Sequence, residues 1–167
     1  AQSLGIDVGQ IPGDWIEKAA ILKSKPGRED RKDPPLKEDG VFPVFHCYQE
    51  VPCNPCISVC PVEAIRTEND AITGLPYMLD LDACTGCASC IAVCPGLSVS
   101  LVDYREDPQQ PLVTLPYEIW RENVEVGQNV PVTDIDGAIL GYFPVAKVST
   151  RKKYPKTLLV KVKVDKA

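Results

Sequence analysis

All eight cysteines of this 167-residue chain fall between positions 47 and 94, and their spacing constrains the fold more than any other feature. They form two groups. The first reads Cys47-Tyr-Gln-Glu-Val-Pro-Cys53-Asn-Pro-Cys56-Ile-Ser-Val-Cys60-Pro61, and the second Cys84-Thr-Gly-Cys87-Ala-Ser-Cys90-Ile-Ala-Val-Cys94-Pro95. The second group is C-x2-C-x2-C-x3-C-P without deviation. The segment from Cys53 aligns with that from Cys87 without a gap, and Val62-Glu-Ala-Ile65 parallels Gly96-Leu-Ser-Val99 beyond it. The groups are therefore an internal repeat. The proline after each fourth cysteine brings no N–H and disfavours a helical residue before it, so a helical turn stops there.

Cysteines three apart on a tight loop suit three corners of a [4Fe–4S] cube. Disulfides would call for a secreted domain in an oxidising compartment, and no apolar signal segment opens the sequence. Zinc prefers two separated C-x2-C pairs per site, whereas each group here is one run ending in Cys-Pro. The pattern resembles the dicluster bacterial ferredoxin family over roughly residues 41 to 104. That resemblance implies a pseudo-twofold core of two short helices over small antiparallel strands. It also implies two [4Fe–4S] clusters, with the fourth cysteine of each group serving the opposite one. On this basis Cys47, Cys53, Cys56 and Cys94 hold the first cluster, and Cys84, Cys87, Cys90 and Cys60 the second.

The first group departs from the family pattern. It opens C-x5-C where the family has C-x2-C, so that Glu50 stands in the place of a cysteine and Cys47 lies three residues earlier. Cys47 is expected to ligate from a longer loop; the alternative is a three-cysteine site with a [3Fe–4S] cluster or a labile fourth iron. Imidazole can ligate cluster iron, but His46 is expected to be a neighbour and not a ligand.

Around this centre the chain reads as an α+β protein in three parts. Residues 1–40 form an N-terminal helix and a charged arm, 41–107 the ferredoxin-like dicluster core, and 108–167 a small all-β module, a barrel or sandwich. The helix is predicted from Asp14, with Glu17 making a capping-box-like start and Trp15, Ile16, Ala19, Ala20 and Leu22 an apolar stripe; Trp15 and Ile16 could dock on a partner. Residues 24–40 mix both charges with three prolines and bury nothing. Val41–His46 reads as the first core strand, confined to an edge by Pro43. Tyr77, Leu79 and Leu81 read as the inward face of a strand leading to Cys84, and Leu97, Val99 and Leu101 close the core. Residues 112–120 look extended, with Pro116 again pointing to an edge. Asp134-Ile-Asp-Gly137 signals a hairpin. A strand over Ile139–Val148 is interrupted at Gly141 and Pro144. In the last strand Leu158, Val160, Val162 and Val164 alternate with Leu159, Lys161 and Lys163, the lysines marking a solvated face.

The net charge of −5 argues against nucleic acid, whose partners carry a basic footprint. No apolar run approaches the ~20 residues of a membrane span. No phosphate loop, nucleophile or general base accompanies the cysteines, so the chain is expected to relay single electrons and not to catalyse. Its extensions beyond the core suggest a cytoplasmic, resident iron–sulfur subunit in a hetero-oligomer, with a catalytic oxidoreductase subunit that carries flavin or another redox cofactor. A soluble carrier, a protein with structural cubes and a fragment of a longer flavoenzyme are the alternatives.

Overall fold

A computed structural model describes residues 37–48, 50–118, 124–134 and 137–165. The expected N-terminal helix and most of the charged arm lie outside the described residues. Two halves of the cysteine region fold alike. Helix α1 (Pro55–Val59) and helix α2 (Ser89–Val93) are each five residues long and end on Cys60 and Cys94. The two caps have matching extended backbones, φ −70° and ψ 113° at Cys60 and φ −68° and ψ 113° at Cys94. Their amides donate to the carbonyls of Ile57 and Ile91, at 3.2 Å in both cases. The backbone then turns through a left-handed residue in each half, Glu63 or Leu97, with φ 51°. The Cys-Pro rule thus sets both helix ends.

Each helix leads into a strand that pairs antiparallel across the core. Strand β1 (Val41–Phe45) pairs with β4 (Val99–Asp103), and β2 (Ile65–Thr67) with β3 (Pro76–Met78). β1 is an edge strand, as Pro43 requires. The strand before Cys84 differs from expectation. It is only three residues long, and Met78 packs on the core while Tyr77 and Leu79 are exposed. Register decides this: Met78 pairs with the buried Ile65, which puts Tyr77 on the outer face.

The C-terminal strands do not close into a separate barrel or sandwich. Strands β5 (Leu112–Tyr117), β6 (Asn129–Thr133), β7 (Ile139–Arg151) and β8 (Tyr154–Lys163) continue the sheet of the core, in the order β1-β4-β5-β8-β7-β6. Pro116 therefore lies in an interior strand. It is tolerated because β4 pairs only with Leu112–Thr114, so β5 has one open side at Pro116. β7 runs unbroken through Gly141 and Pro144. Pro144 faces Asn129 of β6, and pairing with β8 begins only at Val145. β6 and β7 pair antiparallel, the Asp134 amide donates to the Ala138 carbonyl at 2.9 Å, and Gly137 has φ 87°.

β8 has an apolar residue on each face, which alternation with lysines conceals. Leu158, Val160 and Val162 build one core with Val145. Leu159 points the other way, is 3% exposed, and joins the core of Ile91, Val99 and Leu101 beneath α2. A leucine buried to this degree contributes about 1.5–3 kcal/mol relative to exposure. The late strands are thereby fastened to the cysteine core.

Candidate metal centre

The cysteines ring two cavities. The first, of about 270 Å³, is lined by Cys47, Cys53, Cys56 and Cys94, with His46, Val51, Leu75 and Val99 among its walls. The second, smaller one is lined by Cys60, Cys84, Cys87 and Cys90, with Pro43, Ile65, Met78 and Leu101. Each cavity thus draws three cysteines from one repeat and the last from the other. Among the described residues, no three Cys, His, Asp or Glu close on one point where a lone ion would sit. All eight cysteines are free.

Position follows from the local fold. Cys56 and Cys90 sit on the first turns of α1 and α2, both buried in the same core around Ile91, which is wholly inaccessible. Burial, with the neighbouring thiols, pushes Cys56 up to about 11 and Cys90 up to about 12. Burial likewise raises Cys47 and Cys84. Such thiols ionise only when a cation compensates their charge, as iron does. A soft donor set of four thiolates in an apolar wall fits an iron–sulfur cluster.

The two sites differ in what reaches their sulfurs. In the second loop Gly86 has φ 74° and Ala88 φ 58°, a left-handed course that turns amides inward. The Gly86 amide bonds Cys84. Burial pushes Cys87 up, but the Ser89 hydroxyl and amide, the Thr85 hydroxyl and the Arg151 charge outweigh it and hold the thiol below its ordinary value. The first loop carries Pro52 and Pro55, which have no N–H to give. Its site receives the Ser98 amide on Cys94 Sγ at 3.3 Å and the Ile57 amide on Cys56.

His46 lines the first cavity. Its Nε2 lies 3.0 Å from Ser100 Oγ, and its amide donates to the Ser98 carbonyl at 2.8 Å. Glu50, which stands where the repeat has a cysteine, is exposed. The sequence reading missed two cations near the second cavity. The Arg105 charge acts on Cys84; its guanidinium is held by Asp103 through Nε at 2.8 Å and Nη2 at 2.6 Å. Arg151 comes from the far end of β7. Nothing local in the sequence signals either, because both depend on sheet pairing.

The family described as 4Fe-4S dicluster domain matches residues 51–96. A subunit of the polysulfide reductase of Wolinella succinogenes is 40% identical over 53 residues, which are 30% of this chain and 26% of that protein. The protein NrfC homolog of Haemophilus influenzae is 35% identical over 91 residues, 53% of this chain and 35% of its own length. Ferredoxin 7Fe of Hydrogenibacillus schlegelii is 42% identical over 52 residues, 31% of this chain and 55% of that protein. The chain thus covers less than two thirds of each of these relatives. No solved structure matches it significantly. Among the described residues, no helix is long and apolar enough to cross a membrane. Residues 51–96 are a 4Fe–4S dicluster domain, and the chain that carries them holds two [4Fe–4S] clusters.

Proposed function

We propose that this chain is the electron-transfer subunit of an oxidoreductase complex and is not catalytic by itself. In this reading Cys47, Cys53, Cys56 and Cys94 hold one cluster, and Cys60, Cys84, Cys87 and Cys90 the other. Each bound cluster supplies one-electron chemistry at a potential set by its surroundings. The chain's own residues do the rest. The thiolates fix two redox centres on either side of one apolar core, and Ile65, Ile91, Val99 and Leu101 keep water from it. Backbone amides and hydroxyls from the second loop donate to sulfur. The observation that carries the reading is the crossed lining of the two cavities, which ties both centres into a single folding unit.

The partner is proposed to be a larger catalytic subunit carrying flavin or another redox cofactor, in the cytoplasm. The similarity to the polysulfide reductase subunit favours residence in a complex. The similarity to Ferredoxin 7Fe favours a free carrier instead. Anaerobic purification separates the two: a resident subunit co-elutes with a larger chain through high salt, and a carrier comes away alone. Ligation is tested by Cys47→Ser and Cys84→Ser. Each should perturb the EPR signal of one cluster and leave the other intact; a Cys47→Ser protein with two unaltered signals sinks the assignment of the longer loop.

A further inference from the structure

The two faces of the C-terminal sheet are not covered alike. Val145, Val160 and Val162 share one face, and Phe143, Val130 and Val132 pack with them from β7 and β6. Side chains alternate across a strand, so Tyr142 stands on the opposite face, as do Lys161 and Lys163 beside Leu159. There α2 covers Leu159, but the outer ribbon is bare. Tyr142 is 66% exposed, and Leu140 and Ile139 at the β6–β7 bulge are 65% and 58% exposed. Pro131 pairs with Tyr142 and extends the group onto β6. Single exposed apolar residues are ordinary, whereas a contiguous group marks a contact surface. Charge adds a second observation. Residues 138–164 carry seven Lys and Arg and no Asp or Glu. Lys147 pairs directly with Lys161, and Lys163 follows two residues on. Like charges set opposite each other destabilise a sheet, and among the described residues no carboxylate is ion-paired with any of the three. Asp103, the acid that feels Lys161, is already bridged by Arg105.

We propose that this face, Leu140 and Tyr142 bordered by Lys147, Lys161 and Lys163, docks the larger catalytic subunit through an apolar patch rimmed with Asp or Glu. Carboxylates from outside relieve the lysine pairing, and burial of Tyr142 and Leu140 supplies the apolar centre that interfaces use. A second copy of the chain fits poorly, because a twofold contact sets the same patch against itself and opposes lysine to lysine. The seat also suits electron transfer, since the same face carries α2 and with it Cys90. The inference rests on the resident-subunit reading above and adds the surface by which the chain is held.

The test is zero-length carbodiimide coupling of lysine to carboxylate in the anaerobically purified native complex, with the joined peptides identified by mass spectrometry. Lys147, Lys161 or Lys163 should be joined to Asp or Glu of the larger chain. Leu140→Ser with Tyr142→Ser, and separately Lys147→Glu with Lys163→Glu, should each weaken the complex roughly 10-fold or more on dilution, with iron content and thermal unfolding unchanged. Couplings confined to other lysines, with both double variants held as tightly as wild type, overturn the proposal. So do couplings to a second copy of the chain, or binding to phosphatidylglycerol vesicles that the lysine variant loses. A chain that elutes alone even at low salt overturns the resident-subunit reading itself, a different result from a stable complex held by another face.

Discussion

The Arg105 guanidinium lies directly over Gly86: a Cβ built on this glycine would stand 2.8 Å from Arg105 Nη2 and 3.2 Å from a Val41 methyl. The glycine also has φ 74°, a region that costs other residues roughly 1–2 kcal/mol. Two separate demands, on backbone and on space, meet at the loop that carries Cys84 and Cys87. Gly86→Ala should therefore destabilise the protein by about 1–3 kcal/mol and lower its iron content. Denaturant unfolding under anaerobic conditions, with iron analysis, checks both. Unchanged stability would mean that the loop yields freely, and the tight fit would lose its significance.

The donors around Cys87 set a second expectation. Thr85→Val and Ser89→Ala each remove a hydroxyl that favours the ionised sulfur, and neither touches the first cavity. A hydrogen bond worth about 0.5–1.5 kcal/mol corresponds to roughly 20–60 mV for a one-electron couple. Each variant should lower the potential of the second cluster by that amount. By the same logic the first cluster, served by fewer donors, should titrate at the lower potential in the wild type. Two waves in the reverse order would contradict this account.

Legibility in the sequence was uneven, for physical reasons. The two helices could be read because Cys-Pro ends each of them, a local constraint that acts whatever lies nearby. Pro43 at the edge of β1 and the hairpin before Gly137 are local in the same sense. Met78 could not be placed, because a three-residue strand gives alternation too little length and its face depends on pairing with Ile65. Leu159 sits in a lysine-bearing register that reads as solvent-facing, yet α2 covers it. Pro116 in an interior strand depends on where β4 stops. Arg151 is the extreme case: in the sequence it opens a basic turn, and only strand pairing brings its charge to bear on Cys87.

The attachment of β8 to the cysteine core can be tested at a distance from any cysteine. Leu159→Ala should destabilise the protein by about 2–5 kcal/mol, a loss of the size seen for buried leucines elsewhere. It should also speed loss of the clusters in air, because Leu159 lines the core that shelters Cys56 and Cys90. Lys163→Ala on the exposed end of β8 serves as the control and should change stability by less than about 0.5 kcal/mol. Visible absorbance followed over time, alongside thermal unfolding, measures both effects. A Leu159 variant that unfolds earlier but keeps its clusters as long as wild type would separate the strand from the shelter of the metal.

His46 gives the fold a pH dependence whose sign is fixed by its burial. The imidazole lines the first cavity beside Ser100, and burial pushes its pKa below the ordinary 6.5. The folded protein therefore resists protonation that the unfolded chain accepts. Stability from this group is complete above pH 6.5 and is lost as pH falls through the folded-state value, at a slope of no more than about 1.4 kcal/mol per pH unit. Asp103, held below its ordinary 3.8 by the Arg105 hydrogen bonds, also loses its contribution on acidification, but in a lower window. Thermal unfolding between about pH 7.5 and 5 should show the wild type weakening where His46→Gln is flat. Parallel curves for the two proteins would remove His46 as the cause and shift attention to the thiols it borders.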